Sequence, residues 1–333
     1  MDTKQATILV GRGGRDARAS ARFLALAERL SSRLGAPVTP AFLASEPGVE
    51  NTLRDLFQQG ARSFLLMPFF LYEGVQVRVG LAGRVAAALE SLPGATAETL
   101  PTLQDEPAVE DVLFDRLLDR LPAAPPPLSG QEIEKRSYEI IASALGELPP
   151  EGPDRDRERV VRRVVHAAGD LGFARSLLFR DGAVRAGVEA LRCGKNLFAD
   201  VGMLASGITR VDAARIATGI ADPDVAAAAK RENATRAAAA VEKYADFWAG
   251  GILAVGNAPT ALWRLLDLCR RGATPPSLTV GLPVGFVGAA EAKAALWESG
   301  LPAITNRGRR GGSPAAAAAV NAIAILAGES AGA

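Results

Sequence analysis

Apolar positions along the chain alternate between short β-branched runs and longer stretches with helical spacing. Up to residue 121 the runs TILVG (7–11), VTPAFL (38–43), SFLLMPFFL (63–71) and ATAETL (95–100) each precede an amphipathic segment. Those segments are 19–35, 49–59, one after Gly74 and one ending near Leu121. Four strand–helix units in succession predict a parallel sheet covered by helices. The stretch PAAPPPLSG (122–130) then places four prolines where few backbone donors are left, which reads as an extended linker.

Beyond it the pattern opens with two helices, GQEIEKRSYEIIASAL (130–145) and DRDRERVVRRVVHAAGD (154–170), before alternation returns. Strands are predicted at NLFADV (196–201), GILAVG (251–256), SLTVGLPVG (277–285) and PAIT (302–305). Helices are predicted at 225–248, 259–272, 289–300 and in the alanine-rich tail. The expected fold class is α/β, with two open parallel-sheet α/β domains at 1–121 and 131–333 joined by the proline-rich linker. At 333 residues the chain is long enough for each domain to bury its own core.

Charge changes this picture by exclusion. With 38 Lys+Arg against 37 Asp+Glu the chain carries no global field to attract nucleic acid or a membrane surface, so an anionic partner must be caught locally. One histidine and two cysteines distant in sequence, Cys193 and Cys269, cannot build a zinc site, and no metal or cofactor site is expected. Both cysteines read as small apolar fillers in a reducing compartment. The chain starts without a basic, apolar leader, and its longest bland stretch, 314–327, is too short to span a bilayer; a soluble cytoplasmic protein is expected.

The glycines of VGRGGRDA invite a dinucleotide reading, but the spacing fails: the third glycine position holds Asp16, and no Gly-Lys-Ser/Thr triplet exists for a phosphate loop. The second half is more informative. AVGNAPTALW, GLPVGFVGAAEAK and NRGRRGGSPAAAAAV each run from a predicted strand through a glycine-containing loop into a helix. In an open α/β sheet such loops share the carboxyl edge, where free helix amides and Arg307, Arg309 and Arg310 suit a ligand with several carboxylates or phosphates. Ordinary tight turns would have the same composition.

His166 is the only histidine. On a helix Arg162 and Arg163 are its i−4 and i−3 neighbours, so all three are expected on one face, with Asp170 one turn on. A structural histidine and a proton carrier both fit this segment, and the residues alone leave the choice open.

Residues 131 to about 327 resemble the precorrin-8X methylmutases of cobalamin biosynthesis, known as cobalt-precorrin-8 methylmutases in the anaerobic route. The segments that carry the likeness are IEKRSYEII, VRRVVHAAGD, ADVGMLASGITR, ATRAAAA, AVGNAPTAL, GLPVGFVGAAEAK and RGRRGGSPAAAAAVNA. The resemblance implies an isomerase that moves a methyl group from ring carbon 11 to 12 of a contracted tetrapyrrole, giving hydrogenobyrinate or its cobalt form, with no cofactor. It implies His166 as proton donor and acceptor and Ser137 as a substrate contact. Arg136, Arg163, Thr235, Arg236, Asn257, Thr260, Gly285, Phe286 and Arg309 are the further candidate substrate-binding residues. Arg162 and Arg163 are expected to disfavour the imidazolium until carboxylates arrive. Gly202 stands where a larger residue is usual and Ala237 where serine is common. A homodimer with substrate near the subunit interface is also implied.

Residues 6 to 121 resemble the class II chelatases of the sirohydrochlorin cobaltochelatase type. The likeness rests on VGRGGRD in place of VGHGSRD and on PFFLYEGVQV in place of a segment ending GLHV. Both metal-handling histidines are replaced, by Arg12 and Gln76. Arginine repels a divalent cation and glutamine is a poor soft-metal ligand, so a domain without chelatase activity is expected. Glu73 is left as a lone candidate carboxylate for a metal. Other readings of the chain are a non-catalytic tetrapyrrole carrier and a bifunctional methylmutase and chelatase.

Overall fold

The computed structural model describes residues 4–118, 129–147, 149 and 152–329. The chain divides into two compact units, Met1–Ala123 and Ala124–Ala333. The prolines of the predicted linker fall outside the described residues.

The first unit follows the strand–helix alternation: β1 (Gln5–Gly11), α1 (Ala17–Leu34), β2 (Val38–Phe42), α2 (Val49–Gln58), β3 (Ser63–Pro68), α3 (Ala82–Glu90), β4 (Thr96–Thr99) and α4 (Pro107–Leu118). A π-helical turn, Gln76–Leu81, leads into α3. The four strands are parallel in the order β2-β1-β3-β4, so β1 is central and its carboxyl end faces the loop that enters α1. Asp16 starts α1 by accepting the Arg18 and Ala19 amides, and Gly35 ends it in the left-handed region. Two layers pack on this sheet: Ile8, Val10, Leu53, Phe64 and Leu66 on one face, and Leu9, Phe23, Ala27, Val38 and Phe42 on the other.

The second unit contains α5 (Gly130–Leu145), α6 (Pro153–Ala168), α7 (Gly172–Ser176), β5 (Leu177–Phe179), α8 (Ala183–Arg192), β6 (Leu197–Ala199), α9 (Gly202–Gly207), β7 (Ile216–Ala217), α10 (Pro223–Arg231), α11 (Arg236–Lys243), α12 (Ala245–Trp248), β8 (Ile252–Val255), α13 (Pro259–Arg270), β9 (Leu278–Gly281), α14 (Ala289–Glu298), β10 (Ala303–Asn306) and α15 (Ser313–Glu329). Its sheet order is β5-β10-β9-β8-β6-β7. All pairs are parallel except β5 with β10, so an antiparallel edge strand that the hydrophobic pattern did not reveal is added to the predicted parallel sheet. Three residues are too few to show a period.

Two further expectations change. The single helix predicted over 225–248 is three: Asn233 has φ 51°, and Thr235 then caps a new helix by accepting the Ala238 amide. Cys193 is exposed at the end of α8 rather than buried, whereas Cys269 is half-buried against the core. Among the described residues no helix is long and apolar enough to cross a membrane.

The alanine-rich α15 lies against α6 and the sheet. All of its alanines except the partly buried Ala324 are buried together with Val160, Val161, Val164 and Val165 of α6. Small side chains on α15 let the branched valines of α6 approach closely, and each fully buried valine contributes on the order of 2 kcal/mol. This packing fixes the last turn of α6, where His166 sits.

Candidate active site

α6 turns two faces to different environments. Its valines enter the core, while Arg163, His166 and Ala167 line a cavity of about 290 Å³. The opposite wall is the α15 stripe Pro314, Ala317, Ala318 and Asn321, at helical spacing, with Ser313 at its head and Met203 and Gly207 of α9 closing the side. The alanines that read as packing therefore also make room beside the histidine.

His166 is held on two sides by α5. Ser137 Oγ lies 2.7 Å from Nδ1. The Tyr138 ring stacks on the imidazole with centroids 4.9 Å apart and planes 12° from parallel. With Nδ1 engaged by Ser137, Nε2 is the nitrogen available to a ligand. A hydroxyl is both donor and acceptor, so Ser137 donates to a bare Nδ1 and accepts from Nδ1–H, satisfying the ring in either protonation state. The resemblance implies Ser137 as a substrate contact; in the structure its hydroxyl lies against His166.

Arg162 departs from the expectation of a shared face. It is buried, and its guanidinium donates to the Gly146 carbonyl at the end of α5 at 2.5 Å. Of the two arginines only Arg163 lines the cavity. The 100° step between successive helix residues separates them: Arg162 points with the valines, Arg163 with His166. Asp170 turns back to accept the Gly172 amide at 2.8 Å and pairs with Arg310 at 3.3 Å, which ties the loop after β10 to the end of α6.

The loops after β8, β9 and β10 do share the carboxyl edge, since these strands are adjacent and parallel. One of them is not free for an anion. Asp200, directly after β6 and fully buried, accepts the amides of Gly256 at 3.1 Å, Asn257 at 2.9 Å and Ala258 at 2.7 Å. Burial pushes this carboxyl above the ordinary aspartate range, against the opposing pull of those amides. The protein thus supplies its own carboxylate to the β8 loop. No local signal in NLFADV marked Asp200, because its partners lie more than fifty residues away.

The remaining loops are fastened to one another. Gly285 donates its amide to the Arg309 carbonyl at 3.2 Å, and Gly312 to Leu282 at 2.8 Å. A side chain on Gly311 would strike the Leu282 and Pro283 carbonyls, so only glycine fits this crossing. Beneath it Lys293, buried on α14, donates to Asn306 Oδ1 at 2.9 Å and to the Arg310 carbonyl at 2.5 Å. Desolvation lowers its pKa from 10.5 to about 8.

The other candidates fall into groups. Thr235 and Thr260 meet at 2.6 Å between their hydroxyls, beside the exposed Arg236 and Asn257. Gly256, one residue before Asn257, packs against the backbone of Ser313, which lines the histidine cavity. Phe286 is 86 % exposed next to Gly285, with the Arg309 guanidinium 5.2 Å from its ring. Arg136 is exposed on α5, one residue before Ser137. His166, Ser137 and Arg163 therefore form one cluster, Thr235, Thr260, Asn257 and Arg236 a second beside it, and Gly285, Phe286 and Arg309 a third along the same edge.

Comparison with known proteins gives the same division of the chain. The sequence pattern of the precorrin-8X methylmutase family matches residues 132–326, and that of the CbiX family residues 6–120. A cobalt-precorrin-8 methylmutase of Priestia megaterium is 44 % identical over 201 residues, 59 % of this chain and 88 % of that protein. A precorrin-8X methylmutase of Pseudomonas aeruginosa is 42 % identical over 200 residues, 59 % of this chain and 95 % of that protein. The crystal structure of a precorrin-8X methylmutase from Thermus thermophilus matches with TM-score 0.55 and 37 % identity, covering 60 % of this chain and 98 % of that one.

Proposed function

The chain belongs to the precorrin-8X methylmutase family, and we propose that its C-terminal unit performs that reaction with His166 as the group that lends and recovers the proton. It is an isomerase of cobalamin biosynthesis. The substrate is a contracted tetrapyrrole with or without cobalt, and the product differs only in the position of one methyl group.

The observation that carries the reading is the Ser137–His166 pair on the wall of the cavity. Nε2 donates its proton to the conjugated ring system, which makes ring carbon 12 electron-poor. The methyl group then leaves carbon 11 with its bonding pair and joins carbon 12. The proton returns to Nε2, so atoms and charge balance and the enzyme is unchanged. An imidazole, which can donate a proton and take it back at the same nitrogen, suits both halves of this exchange. Ser137 follows the ring through the cycle by reversing its hydrogen bond, and Tyr138 keeps the imidazole plane fixed.

The edge beyond the cavity serves the substrate's acidic side chains. Arg163 lines the same cavity as His166, while Arg236, Arg309 and Arg136 offer charge-assisted bonds to carboxylates. Thr235, Thr260 and Asn257 provide neutral donors, and the exposed Phe286 with Gly285 provides an apolar contact for the macrocycle. A homodimer that extends the site across its interface, working in the cytoplasm, completes the proposal.

The CbiX-like unit favours a second reading, a bifunctional enzyme, but Arg12 and Gln76 in place of the two histidines argue against metal insertion. Following the absorption spectra of precorrin-8X and cobalt-precorrin-8 mixed with pure protein tests the reading. Conversion of either to the corrinoid product supports it; inert binding of both would favour a carrier.

A further inference from the structure

The turn between α10 and α11 presents Thr235 and Arg236, and its placement over Thr260 is not secured by the turn itself. Asn233 sits in the left-handed region at φ 51°, which costs an L-residue conformational energy. The face of α11 that follows, Ala237, Ala239, Ala240 and Val241, packs in one cluster with Ala261 and Leu265 of α13. Small side chains allow close approach but interlock little, so apolar contact alone leaves α11 weakly fixed against sliding along α13.

A single guanidinium supplies the register. Arg264 lies one turn after Thr260 on α13, on the same face and about 6 Å farther from the carboxyl edge of the sheet. Its Nη1 donates to Glu242 Oε2 near the end of α11, and its Nη2 pairs with Glu232 Oε2 at 3.8 Å, just before the turn. One side chain of α13 thus grips both ends of the segment that contains Thr235 and Arg236. The Arg264 side chain is only 21 % exposed, so the bridge is better shielded from water and salt than a surface ion pair. At the far end of α11, Lys243 pairs with Asp222 at 3.1 Å and with Asp224 at 3.2 Å, which ties α11 to the start of α10 but not to α13.

Arg264 is not itself on offer to a substrate carboxylate, because both its terminal nitrogens are engaged. Arg236 is exposed and has no carboxylate partner among the described residues. Glu232 is also approached by Arg231 at 3.5 Å, an exposed contact between neighbours that does not reach α13.

We propose that Arg264 is a positioning residue for substrate binding: by holding Glu232 and Glu242 against α13, it keeps the Thr235 hydroxyl on Thr260 and aims Arg236 at the substrate's carboxylates. The ligand rests on the methylmutase reading; the Glu232–Arg264–Glu242 bridge does not. Without the guanidinium the two carboxylates repel each other and the turn is released. The defect then appears in affinity rather than in chemistry, because His166 stands on another helix.

The test compares full-length wild type, Arg264→Gln and Glu242→Ala in steady-state turnover and in binding of hydrogenobyrinate, followed by absorption. Both variants are expected to raise KM and to weaken hydrogenobyrinate binding by about tenfold, a partial loss of one charge-assisted hydrogen bond, with kcat within about twofold. Glu242→Ala guards against misfolding of Arg264→Gln, since alanine favours the helix. It also separates position from field. It removes a negative charge on the element that carries Arg236, so a purely electrostatic role for the bridge predicts tighter binding, whereas release of the turn predicts weaker binding. Unchanged or tighter binding by Glu242→Ala would overturn the proposal, as would a fall in kcat that matches the rise in KM. Wild type that binds hydrogenobyrinate without turnover would refute the methylmutase reading, and weaker binding by both variants would still sustain the role of Arg264. Wild type that does not bind it would overturn both.

Discussion

Ser137 Oγ and His166 Nδ1 are 2.7 Å apart, on the neighbouring helices α5 and α6. The hydroxyl fixes which imidazole nitrogen faces the cavity. Ser137→Ala is expected to lower kcat about tenfold or more while leaving KM within a few-fold, a part of the roughly 10²–10⁴ that general acid–base transfer supplies. Steady-state kinetics separate the two parameters. A rise in KM alone would make Ser137 a substrate contact instead.

Arg163 shares the cavity wall with His166, whereas Arg162 is committed to Gly146. Arg163→Ala should raise KM by about 10- to 100-fold, the loss of one charge-assisted hydrogen bond of about 1.5–3 kcal/mol, with stability nearly unchanged. Arg162→Ala should do the reverse: it removes a buried bond, lowers the melting temperature and spares KM. Exchange of these two patterns would show that the assignment of faces is wrong.

Asp200 holds three amides with two oxygens. In Asp200→Asn the amide group turns a donor toward at least one of those N–H groups, so a loss of about 1–3 kcal/mol in unfolding free energy is expected, with a weakened substrate contact at Asn257 and Thr260. Urea denaturation measures the first and KM the second. Wild-type stability in the variant would contradict the role given to this carboxylate.

Lys293 gives a pH signature. Its folded pKa of about 8 lies below the unfolded 10.5, so between these values the unfolded chain binds the extra proton. Its contribution to stability therefore rises as pH increases through that window, and below about pH 8 the native state bears the cost of a buried charge. Urea unfolding of wild type and Lys293→Met at pH 7, 8.5 and 10 should show that the difference between them changes with pH in this sense. A pH-independent difference would mean that Lys293 is not buried in its charged form.

The N-terminal unit should fail as a chelatase. Incubation of the pure protein with sirohydrochlorin and cobalt is expected to give no rate above the uncatalysed reaction, because Arg12 repels the incoming cation. Catalysed insertion would establish the bifunctional reading.

Much of this was legible in the sequence, for identifiable reasons. The strands of both units announced themselves because central parallel strands are apolar on both faces, as at 252–255 and 278–281. The break inside 225–248 was hidden because alanines on both sides favour helix, and only Asn233 in the left-handed region interrupts them. His166 was visible as the only histidine, yet its pairing with Ser137 and Tyr138 was not, since they lie about thirty residues away on a separate helix. Glycine loops at a sheet edge suggested free amides; Asp200 had already claimed one set, and a contact across 56 residues leaves no local trace.

The most direct test of the central claim is the conversion rate of His166→Ala on precorrin-8X and cobalt-precorrin-8, measured by absorption alongside binding of the corrinoid product. The account predicts that product binding is retained within a few-fold while turnover falls by at least about 10², the lower bound for loss of general acid–base transfer. Turnover near the wild-type rate would contradict it and remove the proton from His166.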